Sequence, residues 1–270
     1  MTPLELLYEP GGLPTYDLPE ELERLYGGGI GFEAPRLFAN FVSSLDGVVS
    51  IEGEAHSGRM LSGRSEADHF MMGLLRACAD AVVIGAGTLR PARRSLWTPD
   101  YIYPEAATAF AELRKRLGRD EQPRLVVITA RGDLEPGHPA LEAGALVLTP
   151  TGSAAGLRER LPAASIVVAM GDGARVDLVD AMALLRGEGY ATVLTEGGPT
   201  VVGGLLRSGL LDELFLTLSP VLAGRSAGTA RPGFIDAIDL LPSRSIAGDL
   251  IGLRRQGSHL FLRYSIPRGS

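Results

Sequence analysis

ATVLTEGGPTVVGGLL, residues 191–206, decides the fold. Its first five residues form a short apolar, β-branched run, which reads as a strand buried on both faces. Gly197 and Gly198 interrupt it, and Pro199 suits the first turn of a helix that runs to about residue 208. A buried strand passing through a glycine turn into a helix is the repeating unit of a parallel sheet. Parallel neighbours need a crossover, and the crossover covers the sheet.

The same unit recurs upstream. PRLFANFVSS (35–44), AVVIG (81–85), RLVVIT (124–129), ALVLT (145–149) and SIVVAM (165–170) are further short apolar strands. Helical patterns lie between them, one opening near Ser65 with Asp68 at capping-box spacing, others at 104–117, 154–161 and 176–188. Asp46-Gly47, followed by Val48–Ile51, predicts a tight turn or hairpin. The C-terminal part differs: DELFLTLSPVLAG (212–224) reads as a strand and LIGLRRQGSHLFLRYSI (250–266) as a hairpin turning near Gly257-Ser258. The expectation is an α/β domain over 36–270, with a mostly parallel central sheet, helices on both faces and an antiparallel C-terminal hairpin. Residues 1–35, rich in Pro, Gly and acidic side chains, read as an N-terminal extension.

Composition narrows the function. Hydrophobic residues make up 45% of the 270, enough for a large core, and the formal net charge of -6 argues against nucleic-acid or anionic-membrane partners. An acidic chain still binds an anionic cofactor where arginines gather locally. The single Cys78 reads as a small buried hydrophobe, and the histidines (His56, His69, His138, His259) have no metal-ligand spacing, so no metal site is expected. No secretory pattern and no long apolar stretch occurs, which predicts a cytoplasmic protein.

Two glycine turns follow buried strands. Gly85-Ala86-Gly87-Thr88 resembles half of a dinucleotide fingerprint, but Arg90 and Pro91 stand where a Rossmann helix should continue. Thr195-Glu196-Gly197-Gly198-Pro199-Thr200 joins a strand to a helix N-terminus, a ready anion site. Both turns sit at carboxyl ends of strands, which favours one shared cleft. Other residues keep two readings. Ser43-Ser44-Leu45-Asp46-Gly47 faces a ligand or makes an Asx-turn. Arg76 grips a substrate phosphate or lies at the surface. Arg90, Arg93 and Arg94 form a phosphate patch or a solvated loop. Glu66, Asp68 and His69 read as an exposed helix face.

FANFVSSLDG (38–47), SGRMLSG (57–63), LLRACADAVVIGAGTLR (74–90), TEGGPTVVGGLL (195–206) and LLDELFLTLSPVLAG (210–224) together resemble, in order and rough spacing, the reductase domain of riboflavin biosynthesis over about residues 36–265. The resemblance implies a dihydrofolate-reductase-like fold, NADPH as hydride donor and a homodimer. It implies reduction of the ribosyl C1′ of 5-amino-6-(5-phosphoribosylamino)uracil. By matched position, Ser43, Arg59, Thr88, Gly198, Pro199, Thr200, Val201, Val202, Gly203 and Gly204 are expected at the cofactor, and Ser57, Arg76 and Glu196 at the substrate. No residue is singled out as catalytic acid or base. Arg131, after RLVVIT, is the expected partner of a ribose 2′-phosphate, whose presence separates NADPH from NADH. Two departures matter. Ala92 stands where fused family members carry an aspartate, and the 35-residue leader is too short for the deaminase domain often fused upstream. Reduction of another heterocycle such as dihydrofolate, and a non-catalytic nucleotide-binding paralogue, are the alternatives.

Overall fold

Alternation within the apolar runs sorts the side chains of the sheet into two cores. In AVVIG, Val82 and Ile84 join one buried cluster while Ala81 and Val83 join the other. Leu125 and Val127 divide from Val126 in the same way, as the two-residue period of a strand requires. This arrangement comes from a computed structural model, which describes residues 1–51, 54, 57–226, 230–236 and 238–267. His56 lies outside the described residues.

The ten strands are β1 (Glu5–Tyr8), β2 (Arg36–Ser43), β3 (Ala81–Gly85), β4 (Arg124–Ile128), β5 (Ala145–Thr149), β6 (Ile166–Ala169), β7 (Thr192–Thr195), β8 (Glu213–Leu218), β9 (Asp249–Gln256) and β10 (His259–Ser265). They form one sheet in the order β1-β9-β10-β8-β2-β7-β3-β4-β5-β6. From β8 to β6 every pairing is parallel, whereas β10, β9 and β1 add on antiparallel. The expected mostly parallel sheet with a C-terminal hairpin is therefore what forms. Helices Glu66–Ala77 and Ala107–Arg116 bury Phe70, Leu74, Phe110 and Leu113 on one face. Helices Leu178–Gly187 and Pro199–Arg207 bury Met182, Leu185, Val202 and Leu205 on the other. No helix among the described residues is long and apolar enough to cross a membrane.

The first 35 residues are built into this core. β1 pairs with β9, and the helix Glu20–Tyr26 buries Leu22, Leu25 and Tyr26. Buried Arg254 donates from Nε to the Tyr26 carbonyl at 2.9 Å and lies 3.7 Å from the centre of that ring. Arg263 donates to the Gly31 carbonyl at 2.9 Å and to Glu213 at 2.7 Å. β1 has four exposed residues and no alternation, so its sequence carries no strand signal.

Local expectations change in three places. Val48–Ile51 forms no strand. Asp46 makes a turn and also accepts the Ala223 and Gly224 amides at 2.9 and 2.8 Å and the Ser44 hydroxyl at 2.7 Å. These bonds, led by that from Ala223, hold its carboxyl at about 2. The AVVIG strand does open a helix after all, but only the single turn Ala86–Leu89.

Candidate active site

β3 and β7 are adjacent parallel strands, so the glycine turns at their carboxyl ends meet. The Glu196 amide donates to the Val83 carbonyl at 3.1 Å. Thr195 Oγ1 donates to the same carbonyl at 3.2 Å and accepts the Gly197 amide at 3.1 Å. Glycine is needed here for closeness. A Cβ on Gly197 would sit 2.9 Å from Val201 Cβ, and one on Gly85 would sit 3.2 Å from Val201 Cγ2. At Gly198 a Cβ would meet only Thr88 Oγ1, at 3.7 Å. Gly198 is the N-cap of the helix Pro199–Arg207, whose first turn has no side-chain cap and no acidic residue. Its leading amides are thus suited to an anion.

The turns open onto a cleft of about 2250 Å³. A single small ligand fills roughly 300–1,000 Å³, so there is room here for a dinucleotide and a second molecule. Arg90, Arg93, Arg131, Arg175 and Arg207 also line this cleft, together with the acidic Asp133, Asp177 and Asp236. Five guanidinium groups thus stand in this lining although the chain as a whole carries a net charge of -6. Arg90 pairs with Asp133 at 3.4 Å, both exposed.

Arg76 and Glu196 border the same cleft and face each other. Arg76 Nε and Nη2 donate to the two carboxylate oxygens at 2.9 and 2.7 Å, and both side chains are nearly out of solvent. Nη1 donates to the Leu96 and Thr98 carbonyls at 3.4 and 3.3 Å. Arg76 thus reaches the cleft without being a free cation.

The model of the RibD C-terminal domain matches residues 35–249. The chain belongs to that family. It is similar over 203 residues (28% identical, 74% of this chain and 87% of the relative) to the 2,5-diamino-6-ribosylamino-4(3H)-pyrimidinone 5′-phosphate reductase of Archaeoglobus fulgidus. Two solved structures share the fold. One is a pyrimidine reductase-like protein of Corynebacterium diphtheriae, with TM-score 0.60 and 24% identity over 87% of this chain and 93% of that one. The other is the diaminohydroxyphosphoribosylaminopyrimidine deaminase/5-amino-6-(5-phosphoribosylamino)uracil reductase of Thermotoga maritima, with TM-score 0.63 and 18% identity. The match to it covers 86% of this chain and 57% of that one.

Within this RibD C-terminal domain, Ser57, Arg59, Thr88, Gly198, Pro199, Thr200, Val201, Gly204, Arg76 and Glu196 all border the cleft. Ser57 and Arg59 lie on the short helix Ser57–Leu61. Three residues matched to the cofactor lie behind the cleft wall. Val202 is fully buried in the core beneath the helix. Gly203 faces the Asp236 carbonyl, which a Cβ there would approach to 2.8 Å. Ser43 is buried with its hydroxyl on the Ser44 carbonyl at 2.9 Å, while Asn40, Phe41 and Val42 form the lining of β2. A nine-residue helix turns only one side to a ligand, which spacing alone does not assign.

Asp68, expected on an exposed helix face, is instead buried. It is 3% exposed, borders the cleft and accepts the Thr217 hydroxyl. Burial, opposed by that hydrogen bond and helped by the Glu196 charge, pushes its carboxyl up to about 6. A usable signal was present: Asp68, Met72 and Arg76 recur every fourth residue and border one cleft. Burial pushes the Cys78 thiol up to about 12, consistent with an inert core residue.

Proposed function

We propose that this chain is an NADPH-dependent reductase of a 5-amino-6-(5-phosphoribosylamino)pyrimidine, the uracil form being the substrate that the sequence resemblance implies. One observation carries the reading. The glycine turns after β3 and β7 and the five arginines share one cleft with the buried Arg76–Glu196 pair. An anion-binding half and a polar pocket are what a dinucleotide and a sugar-bearing heterocycle require. The names of the Archaeoglobus fulgidus relative and the Thermotoga maritima structure agree on the ribosylaminopyrimidine class and differ at ring position C2.

When bound, NADPH supplies the hydride that turns the ribosyl C1′ from an imine carbon into the CH₂ of a ribitylamine. The chain's own part is binding and orientation. The amides following Gly198 and the Thr88 hydroxyl take phosphate oxygens, and Gly198 lets the backbone come close. Arg131, Arg175 and Arg207 offer charge to a ribose 2′-phosphate, which favours NADPH over NADH. Glu196, held by Arg76, accepts hydrogen bonds from the substrate, and Ser57 contacts it at the mouth. Holding donor and acceptor carbons in near-attack geometry is a large share of such catalysis.

NADPH oxidation followed in parallel with the phosphoribosylaminopyrimidine and with dihydrofolate tests the reading. Turnover of the former supports it. Turnover of dihydrofolate alone, or tight NADPH binding with neither consumed, overturns it.

A further inference from the structure

Two walls of the cleft are loops. Residues 90–98 border it with Arg90, Arg93, Ser95 and Leu96, starting two residues after Thr88. The segment after β4 borders it with Thr129, Arg131 and Asp133. This second wall is firmly anchored. The Thr129 amide donates to the Leu148 carbonyl at 3.0 Å, Arg160 donates to the Gly132 carbonyl at 2.9 Å, and Leu134 is buried. The first wall has no regular structure between the helices Ala86–Leu89 and Pro99–Ile102.

His138, 5% exposed and set behind the lining, joins the two. Its Nδ1 accepts the Ala140 amide at 3.1 Å, and its Nε2 lies 3.1 Å from the Ala92 carbonyl. An amide only donates and a carbonyl only accepts, so the ring carries its proton on Nε2 and donates it to Ala92. The same carbonyl accepts the Ser95 amide at 2.8 Å, and the Ala92 amide donates to the Leu89 carbonyl at 3.1 Å. The imidazole therefore grips the loop where its own turns converge. With both nitrogens engaged it exchanges no proton with a ligand, and it acts only through the loop it holds.

We propose that His138 is a positioning residue for the cofactor: it ties the loop 90–98 to the segment after β4, so that the wall bearing Arg90 and Arg93 stands ready for the anionic dinucleotide. The inference rests on the reductase reading above, which gives the neighbouring Thr88 and Gly198 to the cofactor phosphates. A loop without this tie spends part of its time in other arrangements. Apparent affinity then falls by the fraction that is competent, whereas the saturated enzyme regains its geometry and its kcat.

Two substitutions in the full chain replace the ring nitrogens one at a time. Asparagine sets its amide oxygen where Nδ1 stands, which keeps the Ala140 cap, and is too short to reach Ala92. Glutamine sets its amide nitrogen where Nε2 stands, which keeps the Ala92 bond and gives up the cap. His138→Asn should leave Tm near wild type and raise the NADPH dissociation constant and KM about fivefold or more, with kcat at saturating NADPH unchanged. His138→Gln should lower Tm by a few degrees and keep NADPH affinity near wild type. Hydrogen exchange of the ligand-free proteins gives a readout without cofactor or turnover: amides of residues 90–98 should exchange faster in His138→Asn and at the wild-type rate in His138→Gln. If the wild type binds no NADPH, the reductase reading fails, and the exchange still judges whether His138 holds the loop. Wild-type NADPH affinity in folded His138→Asn overturns the inference. So does an equal loss of affinity in both variants, or unaltered exchange of the loop in His138→Asn.

Discussion

Arg76 and Glu196, 120 residues apart in the chain, are joined by two side-chain hydrogen bonds of 2.9 and 2.7 Å in the wall of the cleft. The pair connects the helix before β3 to the residue that follows β7. Removing one partner would leave the other as an uncompensated buried charge. Arg76→Ala is therefore expected to destabilise the fold by about 3–5 kcal/mol, read by chemical denaturation. Arg76→Leu with Glu196→Leu should cost less than the sum of the single changes. Strict additivity would show that the pair is not coupled.

The neighbouring glycines should separate folding from binding. Gly197→Ala places a methyl 2.9 Å from Val201 and should lower Tm by several degrees, with about 1–3 kcal/mol of overpacking. Gly198→Val has more room and should leave Tm near wild type. Its side chain enters the region where the backbone approaches phosphate, so NADPH affinity should fall about tenfold or more. Fluorescence titration of NADPH reads this directly, and unchanged affinity would move the cofactor elsewhere.

Arg131 is exposed three residues after β4 and lines the cleft. A charge-assisted hydrogen bond contributes about 1.5–3 kcal/mol, so Arg131→Ala should weaken NADPH by about tenfold or more. NADH affinity should stay constant, and the NADPH dissociation constant should rise with salt. Equal losses for both cofactors would place Arg131 away from the 2′-phosphate.

Asp68 is a group whose charge the fold bears at a cost. Its folded value, about 6, lies above the ordinary 3.8, because of burial and the Glu196 charge against the Thr217 hydrogen bond. The folded state thus binds the proton more tightly than the unfolded chain. The destabilisation is complete above pH 6 and is relieved as pH falls toward 4. Its size is about 3 kcal/mol at neutral pH, at 1.36 kcal/mol per unit. Asp68→Asn should raise Tm at pH 7.5, and the gain should vanish near pH 4. Thermal melts of the two proteins across that range check the sign.

Residues 1–35 should prove inseparable from the domain, although the family match begins at residue 35. Their removal exposes the core against Leu22, Ile30 and Phe32 and strips the carbonyl partners from buried Arg254 and Arg263. A chain starting at residue 36 is expected to be insoluble or unfolded by circular dichroism. A soluble product with native Tm would show the segment to be dispensable.

Read alone, the sequence determined the sheet and its helices, because burial imposes period two on strands and 3.6 on helices over short stretches. It also indicated one cleft, since two glycine turns followed buried strands and each strand ended in residues suited to close approach. Those inferences are local, and local chemistry is what a linear pattern records. The tertiary structure alone decided which side chains face the cleft. It brought β3 beside β7, engaged Arg76 with Glu196, turned Val202 and Gly203 inward and buried Asp68 against Thr217. It also drew an unpatterned N-terminal segment into the core through Arg254 and Arg263. Each of these depends on contacts between residues far apart in the chain, whose energies appear only once the sheet has placed them within a few ångströms.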